Sequence, residues 1–177
     1  MCPMTDESAN QAIHPAALPI HELRDLCELR FQRRSGPGGQ HRNKVETSVH
    51  ISHRPTGISV AASERRAQSQ NLKVAWQRLR IQLATEIRRP WSSPSENWRR
   101  RCRGRRVIIN KQHDDFPTLL AEALDALAAA DWHQRSAATA LGCSTTQLVR
   151  LLSREPKAMA TLNRHRATIG LEPLKQS

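Results

Sequence analysis

Alternating apolar and polar residues on both sides of a glycine-rich segment restrict the fold of this 177-residue chain more than any other feature. Residues 26–33 alternate apolar and charged side chains, and residues 47–52 resume the alternation after the glycines. This period of two predicts two half-buried strands joined by a loop. The sequence Arg-Pro-Thr-Gly at 54–57 is typical of a type I turn, so we expect residues 58–60 to return as a third strand.

A helical period follows this hairpin. We expect Ser63 to cap a helix that runs to about Arg88 and buries an apolar stripe. The stripe consists of residues spaced by three and four positions, namely Leu72, Ala75, Trp76, Leu79, Leu83 and Ile87. The opposite face is basic, with Arg65, Arg66, Lys73, Arg78 and Arg80. Three strands and one packed helix predict an α+β domain over residues 26–89, with an extended loop between its first two strands.

The remaining segments differ in character from this domain. Residues 1–25 contain three prolines and little periodicity, which predicts a poorly ordered N-terminal tail. Residues 90–113 are expected to form a basic linker, because like charges at this density favour disorder until an anion neutralises them. Residues 114–177 predict a small all-α domain.

The C-terminal segment has the pattern of a helix-turn-helix. Asp114 or Asp115 can cap a helix that has Pro117 in its first turn. Residues 137–148 then give a small-residue helix, a glycine turn, a serine cap and a second helix, and Pro156 opens a further helix. Such motifs bind DNA in many proteins. Because this segment has no net charge, structural packing or the docking of a partner protein is an equal alternative.

The net charge of +12 is concentrated in one part of the chain. Residues 26–113 carry 20 bases and 5 acids, whereas residues 1–25 carry one base and four acids and residues 114–177 carry seven of each. A basic block of this size indicates a nucleic-acid partner. We expect no membrane partner, because no apolar run approaches the roughly 20 residues that span a bilayer, and the first 17 residues lack the pattern of a secretory signal.

The cysteines and histidines give no sign of a metal or cofactor site. The four cysteines form no Cys-x-x-Cys pair; they are Cys2, Cys27, Cys102 and Cys143. This spacing predicts reduced thiols of a cytoplasmic protein rather than zinc ligands or disulfides. His50 and His53 would lie on opposite faces of a strand and could not share one ion. We therefore expect no metal and no cofactor.

Gly38, Gly39 and Gln40 lie within the predicted loop. Two adjacent glycines allow positive φ angles and a close approach to another molecule, while the glutamine offers a backbone N–H and an amide that cannot ionise. No acidic residue occurs between Glu28 and Glu46, so bases surround this amide. These features suit a loop that works within a polyanionic partner.

Residues 30–83 resemble the peptidyl-tRNA hydrolysis domain of the class I peptide chain release factors. The resemblance rests on an ordered set of stretches rather than on one tripeptide: Arg34-Ser35-Gly36-Pro37-Gly38-Gly39-Gln40-His41, Asn43-Lys44, Pro55-Thr56-Gly57-Ile58 and Arg66-Ala67-Gln68-Ser69-Gln70-Asn71. It implies an enzyme that hydrolyses the ester between a nascent peptide and the terminal adenosine of P-site tRNA, with rRNA and peptidyl-tRNA of the ribosome as partners. By similarity the catalytic residues are Gly38, Gly39 and Gln40. The backbone N–H of Gln40 stabilises the oxyanion, its side chain helps to place the water, and the glycines allow the loop conformation that presents it.

Candidate RNA contacts surround the loop and continue into the basic linker. Those near the loop and the start of the helix are Arg34, His41, Arg42, Asn43, Lys44, Arg66 and Gln68. Those in the linker are Arg99, Arg100, Arg101, Arg103, Arg105 and Arg106. For each of them solvated surface charge is the alternative, and for His41 a structural role is a further one.

The sequence departs from the family pattern in three respects. Arg42 stands where the long release factors usually have Val, and Ala67 stands where they have Ser. Only about 25 residues precede the domain, so the helical domain and the stop-codon-reading domain of a full-length factor are not expected. The sequence therefore predicts peptidyl-tRNA hydrolysis without codon recognition, as in ribosome rescue.

Several interpretations remain open at this point. In one, residues 99–111 enter the empty mRNA channel as a basic tail, as in the stalled-ribosome rescue hydrolases. In another, the trigger is unknown and residues 114–177 dock a partner protein. A ribosome-associated RNA-binding protein without catalysis and a helix-turn-helix DNA-binding regulator are the alternatives from other functional classes.

Overall fold

The computed structural model describes residues 13–32 and 47–174. In these two ranges it contains seven α-helices and a three-stranded antiparallel sheet, so the predicted α+β class is confirmed. None of these helices has the length and apolar character needed to cross a membrane. The chain divides into two compact units: a sheet unit of residues 18–83, and a helical unit made of the described residues up to Ala17 and from Ala84 onward.

The sheet unit begins with helix α1, Ile20–Asp25, and continues into three strands in the spatial order β1-β2-β3. The strands are β1 Cys27–Gln32, β2 Ser48–His53 and β3 Ser59–Ala62. Val49 and Ile51 on β2 are fully buried, whereas His50 between them is partly exposed. The predicted alternation is therefore confirmed from Val49 to Ser52, whereas Ser48, predicted on the polar face, is buried as well.

The β2–β3 hairpin turns through residues 54–57, where the sequence predicts a turn. The His53 N–H donates to the Ile58 carbonyl at 2.8 Å, and the Gly57 N–H donates to the His53 carbonyl at 2.8 Å. Gly57 has a φ of +70°, a left-handed conformation that glycine adopts without the steric penalty of a Cβ. Closure of the hairpin therefore favours glycine at this position.

Helix α2, Gln68–Glu86, follows the sheet. It buries four residues of the predicted stripe: Ala75, Trp76, Leu79 and Leu83. The predicted cap at Ser63 is wrong, because the helix begins later and the Ala67 carbonyl accepts the Asn71 N–H at 3.2 Å in its first turn. Arg80 is buried rather than exposed, since it flanks the apolar stripe and a long arginine stem can cover apolar surface.

The helical unit contains five helices and a two-stranded ribbon. The helices are α3 Glu96–Arg101, α4 Phe116–Ala129, α5 Gln134–Ala140, α6 Thr145–Ser153 and α7 Pro156–Thr168. The ribbon pairs β4, Cys102–Arg103, with β5, Arg106–Val107. Eleven of the 14 residues of α4 are buried, as expected of a helix that lies at the centre of its unit.

The prediction of a poorly ordered tail is wrong for residues 13–25. A 3-10 turn forms at Pro15–Ala17, and Ala16 is fully buried. His14 holds this segment in place, because its Nδ1 accepts the Ala16 N–H at 3.0 Å and its Nε2 lies 3.2 Å from the Ile87 carbonyl oxygen. The contact with Ile87 joins residues far apart in sequence, so local periodicity could not show it.

The prediction of a basic linker at 90–113 is also wrong, because this segment is folded. Trp98 on α3 is fully buried, and its Nε1–H donates to the Leu141 carbonyl at 2.8 Å. The Ser95 Oγ accepts the Trp98 N–H at 3.1 Å and donates to a carboxylate oxygen of Glu122 at 2.6 Å. Trp98 and Ser95 therefore anchor this segment within the helical unit.

Helices α5 and α6 form the helix-turn-helix that the sequence predicts. Gly142 in the turn has a φ of +70°, and the Ser144 Oγ caps α6 by accepting a backbone N–H at 3.2 Å. Pro156 opens α7, also as predicted. Asp115 precedes α4 but does not cap it with its side chain, because its carboxylate accepts from the Arg101 guanidinium at 2.7 Å instead.

We predict that His14 makes the stability of the chain depend on pH. Burial lowers the pKa of His14 to about 4, and the charges of Arg88 and Arg89 add to this effect, against the opposing hydrogen bond to the Ile87 carbonyl. An unfolded histidine binds its proton near pH 6.5, so the unfolded state takes up more protons between pH 6.5 and 4. The free energy of unfolding therefore falls as the pH falls through this window.

Urea unfolding followed by tryptophan fluorescence measures this effect. The difference in free energy of unfolding between the wild type and His14→Gln should fall by about 2–3 kcal/mol as the pH is lowered from 6.5 to 4. His21→Gln, at an exposed position, is the matched control substitution and should keep the wild-type fall in stability that His14 causes. Parallel curves for the wild type and His14→Gln would contradict the prediction.

Candidate functional site

The candidate catalytic loop joins β1 to β2 in the sheet unit. Gln32, the last residue of β1, pairs directly with Ser48, the first residue of β2. Both ends of the loop are therefore held side by side at one end of a hydrogen-bonded ladder, with their Cα atoms about 5 Å apart. The residues between these ends include Gly38, Gly39 and Gln40, which lie outside the described residues. Five predicted RNA contacts lie outside them as well: Arg34, His41, Arg42, Asn43 and Lys44.

A fully buried asparagine braces the β2 end of this loop. The Asn71 Nδ2 donates to the Thr47 carbonyl at 2.6 Å and to the Arg65 carbonyl at 3.0 Å, while its Oδ1 accepts the Arg65 N–H at 2.9 Å. Thr47 immediately precedes β2, so this amide ties the end of the loop to the first turn of α2. Sequence reasoning missed the role of Asn71. The available signal was a polar residue four positions before the buried Ala75, on the apolar side of the helix.

The two histidines of β2 lie in different surroundings. His50 is partly exposed, and its Nε2 lies 3.2 Å from the Ser48 Oγ, beside the loop. His53 is buried at the opposite end of the strand, where burial lowers its pKa and its Nδ1 lies 2.8 Å from the Thr56 Oγ1. Of these two histidines, only His50 is placed to influence the loop.

The two RNA contacts predicted at the start of the helix, Arg66 and Gln68, are exposed near the braced end of the loop. Arg66 precedes the helix and Gln68 opens it, within a turn or two of Asn71. Arg78, further along the helix, is held against the sheet, because it donates to the Ala61 carbonyl at 2.7 Å and pairs with Glu64 at 2.5 Å. The structure therefore exposes Arg66 and Gln68 to solvent at the loop end of the sheet unit.

The six arginines predicted to contact RNA between residues 99 and 106 are not equivalent. Arg101 donates to the Asp115 carboxylate from Nε at 3.1 Å and from Nη2 at 2.7 Å. Burial tends to raise the pKa of Asp115, but the hydrogen bond and charge of Arg101, with His113 and Arg100, hold it below its usual value. Arg101 is thus committed to the helical unit. The exposed members are Arg99, Arg100, Arg103, Arg105 and Arg106.

The described residues offer no group of three or more His, Cys, Asp or Glu side chains that could hold a metal ion. Three of the cysteines are described, and their thiols are free. Burial raises the pKa of Cys27 to about 11 and that of Cys143 to about 11, so both thiols stay protonated and are poor nucleophiles near neutral pH. Within the described ranges, no ligand set or activated thiol competes with the loop as the candidate site.

Comparison with known proteins assigns much of this architecture to one family. A model of the RF-1 domain matches residues 20–114, a range that includes helices α1 and α2, the sheet and the ribbon. The chain is 49% identical over 57 residues to peptide chain release factor 2 of Paramagnetospirillum magneticum, which is 32% of this chain and 15% of that protein. It is 41% identical over 81 residues to peptide chain release factor 1 of Xylella fastidiosa and 42% identical over 81 residues to peptide chain release factor 2 of Variovorax paradoxus. Each of these two alignments covers 46% of this chain and 20% of the relative.

These matches differ in how much of each protein they cover. The chain spans a fifth or less of the length of these relatives, whereas the RF-1 domain takes in more than half of the chain. The resemblance that the motifs around Gly38-Gly39-Gln40 indicate is confirmed at the level of the family. Through its RF-1 domain, the chain belongs to the class I peptide chain release factor family.

Proposed function

We propose that this chain hydrolyses peptidyl-tRNA on the ribosome through the loop that carries Gly38, Gly39 and Gln40. The observation that carries the proposal is the RF-1 domain match over residues 20–114. In that domain, paired strands hold both ends of the loop and Asn71 braces one of them. The relatives are named as peptide chain release factors, and freeing a peptide chain from tRNA means breaking an ester.

The chemistry of the loop suits ester hydrolysis. A water oxygen attacks the ester carbonyl carbon, the carbonyl oxygen gains negative charge, and the bond to the tRNA ribose oxygen breaks as that oxygen takes up a proton. A neutral, fixed N–H donor stabilises the developing charge, and the backbone N–H of Gln40 supplies one. The Gln40 amide can orient the water, while Gly38 and Gly39 present no Cβ to the approaching substrate.

The charge distribution supports a ribosomal partner. Residues 26–113 carry 20 bases against 5 acids, and basic residues bind nucleic acid by displacing counterions from phosphates. Arg66 and Gln68 are exposed at the loop end of the sheet unit, where they would contact rRNA or tRNA. The bases of the loop itself, Arg34, Arg42 and Lys44, would add to this contact.

We extend the proposal to codon-independent action, as in the rescue of stalled ribosomes in the cytoplasm. Affinity that comes from phosphate contacts does not depend on which codon is present. The alignments to the curated relatives cover at most 20% of their length, and the rest of the described chain, after residue 114, folds as helices α4–α7. The version in which residues 99–111 enter the mRNA channel as an extended tail is not supported, because α3 and the ribbon fold much of this segment.

We predict that replacing Gln40 abolishes most of the hydrolysis. Gln40→Ala keeps the backbone N–H but removes the water-orienting amide, and Gly39→Ala restricts the backbone that presents it. Loss of one such interaction typically lowers the rate by about 10²–10³. The measurement is peptide release from purified ribosomes stalled on truncated mRNA, compared with ribosomes that display a stop codon.

Ribosome co-sedimentation at several salt concentrations is the companion measurement. Both variants should sediment with ribosomes as the wild type does, because neither substitution removes a charge. Equal release by the wild type and both variants would contradict the catalytic role. Together with salt-sensitive sedimentation, that result would favour an RNA-binding protein without catalysis.

We predict that Asn71→Ala lowers peptide release through the position of the loop. The substitution leaves the Thr47 carbonyl and both backbone groups of Arg65 without their partner, which costs about 1–3 kcal/mol for each buried group left unpaired. The matched control is Leu79→Ala, which destabilises the same unit by about 2–5 kcal/mol in the middle of α2. At a temperature where both variants remain folded by circular dichroism, Asn71→Ala should release peptide more slowly than Leu79→Ala. Equal rates would show that Asn71 acts through stability alone.

A further inference from the structure

The turn that joins β4 to β5 holds an arginine in a backbone conformation that is unfavourable for this residue type. Arg103 pairs with Arg106 across the two strands, and the residues between them, Gly104 and Arg105, have φ angles of +55° and +62°. Two consecutive positive φ angles are the signature of a type I′ turn. Glycine adopts this conformation freely, whereas an arginine keeps it only where the surrounding structure holds it there.

The helix-turn-helix provides that hold. The Ser144 N–H, at the start of α6, donates to the Arg105 carbonyl at 3.1 Å. On the other side of the turn, the Val107 N–H donates to the Gln147 Oε1 at 3.3 Å. The ribbon is therefore fixed against the N-terminal end of α6 by two hydrogen bonds that require no other molecule.

The fixed ribbon crowds like charges together. Arg103 and Arg106 are directly opposite each other in register, which places their Cβ atoms about 5 Å apart, and like charges in such a pair destabilise it. Arg105 is exposed between them in sequence. Asp115 neutralises Arg101 instead of these three residues. An anion bound by these guanidinium groups would replace their repulsion with charge-assisted hydrogen bonds.

We propose that this arginine ribbon, residues 103–106 held on the helix-turn-helix, is a preformed binding surface for RNA phosphates. A helix-turn-helix that reads duplex DNA brings the N-terminal residues of its second helix to the base edges. Here Ser144 and Gln147 at that end of α6 bind the ribbon, so the motif serves as the scaffold of the arginines. The choice of RNA over DNA rests on the proposed function, whereas the binding surface rests on these contacts.

The first test separates these arginines from general charge. It uses the full chain, a short single-stranded RNA, a DNA duplex of the same length and a series of salt concentrations. The variant R103Q/R105Q/R106Q should lower the slope of log affinity against log salt by about 2, since each phosphate contact to a single strand contributes about 0.7. The control R135Q/R150Q/R164Q removes the same charge from exposed positions of the helical unit and should leave the slope unchanged. Equal losses in both variants would overturn the proposal.

The second test separates a preformed ribbon from diffuse charge. Gly104→Val keeps every charge, and its Cβ would meet nothing within 4 Å, so only the positive φ of the turn is opposed. Gly170→Val is the matched control, with a φ of +73° and equally open space beyond the end of α7. Gly104→Val should weaken RNA binding about tenfold through lost preorganisation, and Gly170→Val should not. Thermal unfolding confirms that both variants fold. Equal affinities would overturn the preformed geometry.

Two further outcomes decide the partner and keep this inference apart from the proposed function. Binding of the DNA duplex as tight as that of RNA, and lost in the same variants, would overturn the choice of RNA. Gln40→Ala should bind RNA as the wild type does. If the chain failed to release peptide, RNA binding by the arginine ribbon could still be measured. If the ribbon failed to bind RNA, that failure would be detected whether or not the chain releases peptide.

Discussion

The side-chain amide of Asn71 satisfies three backbone groups at the point where the loop, β2 and the start of α2 meet. Asn71 is fully buried, and without its amide the Thr47 carbonyl and the peptide groups of Arg65 would lose these hydrogen bonds. In the proposed hydrolysis the loop offers a backbone N–H to a transient negative charge, which requires its ends to be placed to within about half an ångström. The paired ends of β1 and β2 supply one restraint on those ends, and this amide supplies the other.

In the helical unit, main-chain groups of one turn hold other segments in place by hydrogen bonds. The turn between α5 and α6 accepts the Trp98 indole N–H at Leu141 and the Cys102 thiol at Gly142. Its Ser144 N–H donates to the ribbon. One short turn thereby orders a tryptophan, a strand and an arginine-rich hairpin. A segment with the composition of a disordered spacer becomes part of a folded unit because these anchors lie elsewhere in the sequence.

The sequence predicted those elements that depend on interactions between residues close together in the chain. The strands, α2 and the helix-turn-helix were predictable because period, turn glycines and caps are local, as Gly57, Gly142 and Ser144 show. The order of residues 13–25 and 90–113 was not, because it comes from contacts such as that between His14 and Ile87. For the candidate site, the motif around Gln40 indicated the family. The brace at Asn71 was missed, because an asparagine on an apolar stripe has no local signature of its hydrogen-bond partners.

The helical unit is built from two pieces of chain that the sheet unit interrupts. The Ala16 carbonyl accepts a hydrogen bond from the Thr118 hydroxyl, and His14 is hydrogen-bonded to the Ile87 carbonyl. Residues made early in synthesis therefore lack these partners until much of the chain has been made. The sheet unit, by contrast, is continuous in sequence and can close as soon as α2 leaves the ribosome. During synthesis this connectivity favours an order of assembly in which the sheet that carries the loop forms first and the unit that carries the arginine ribbon forms last.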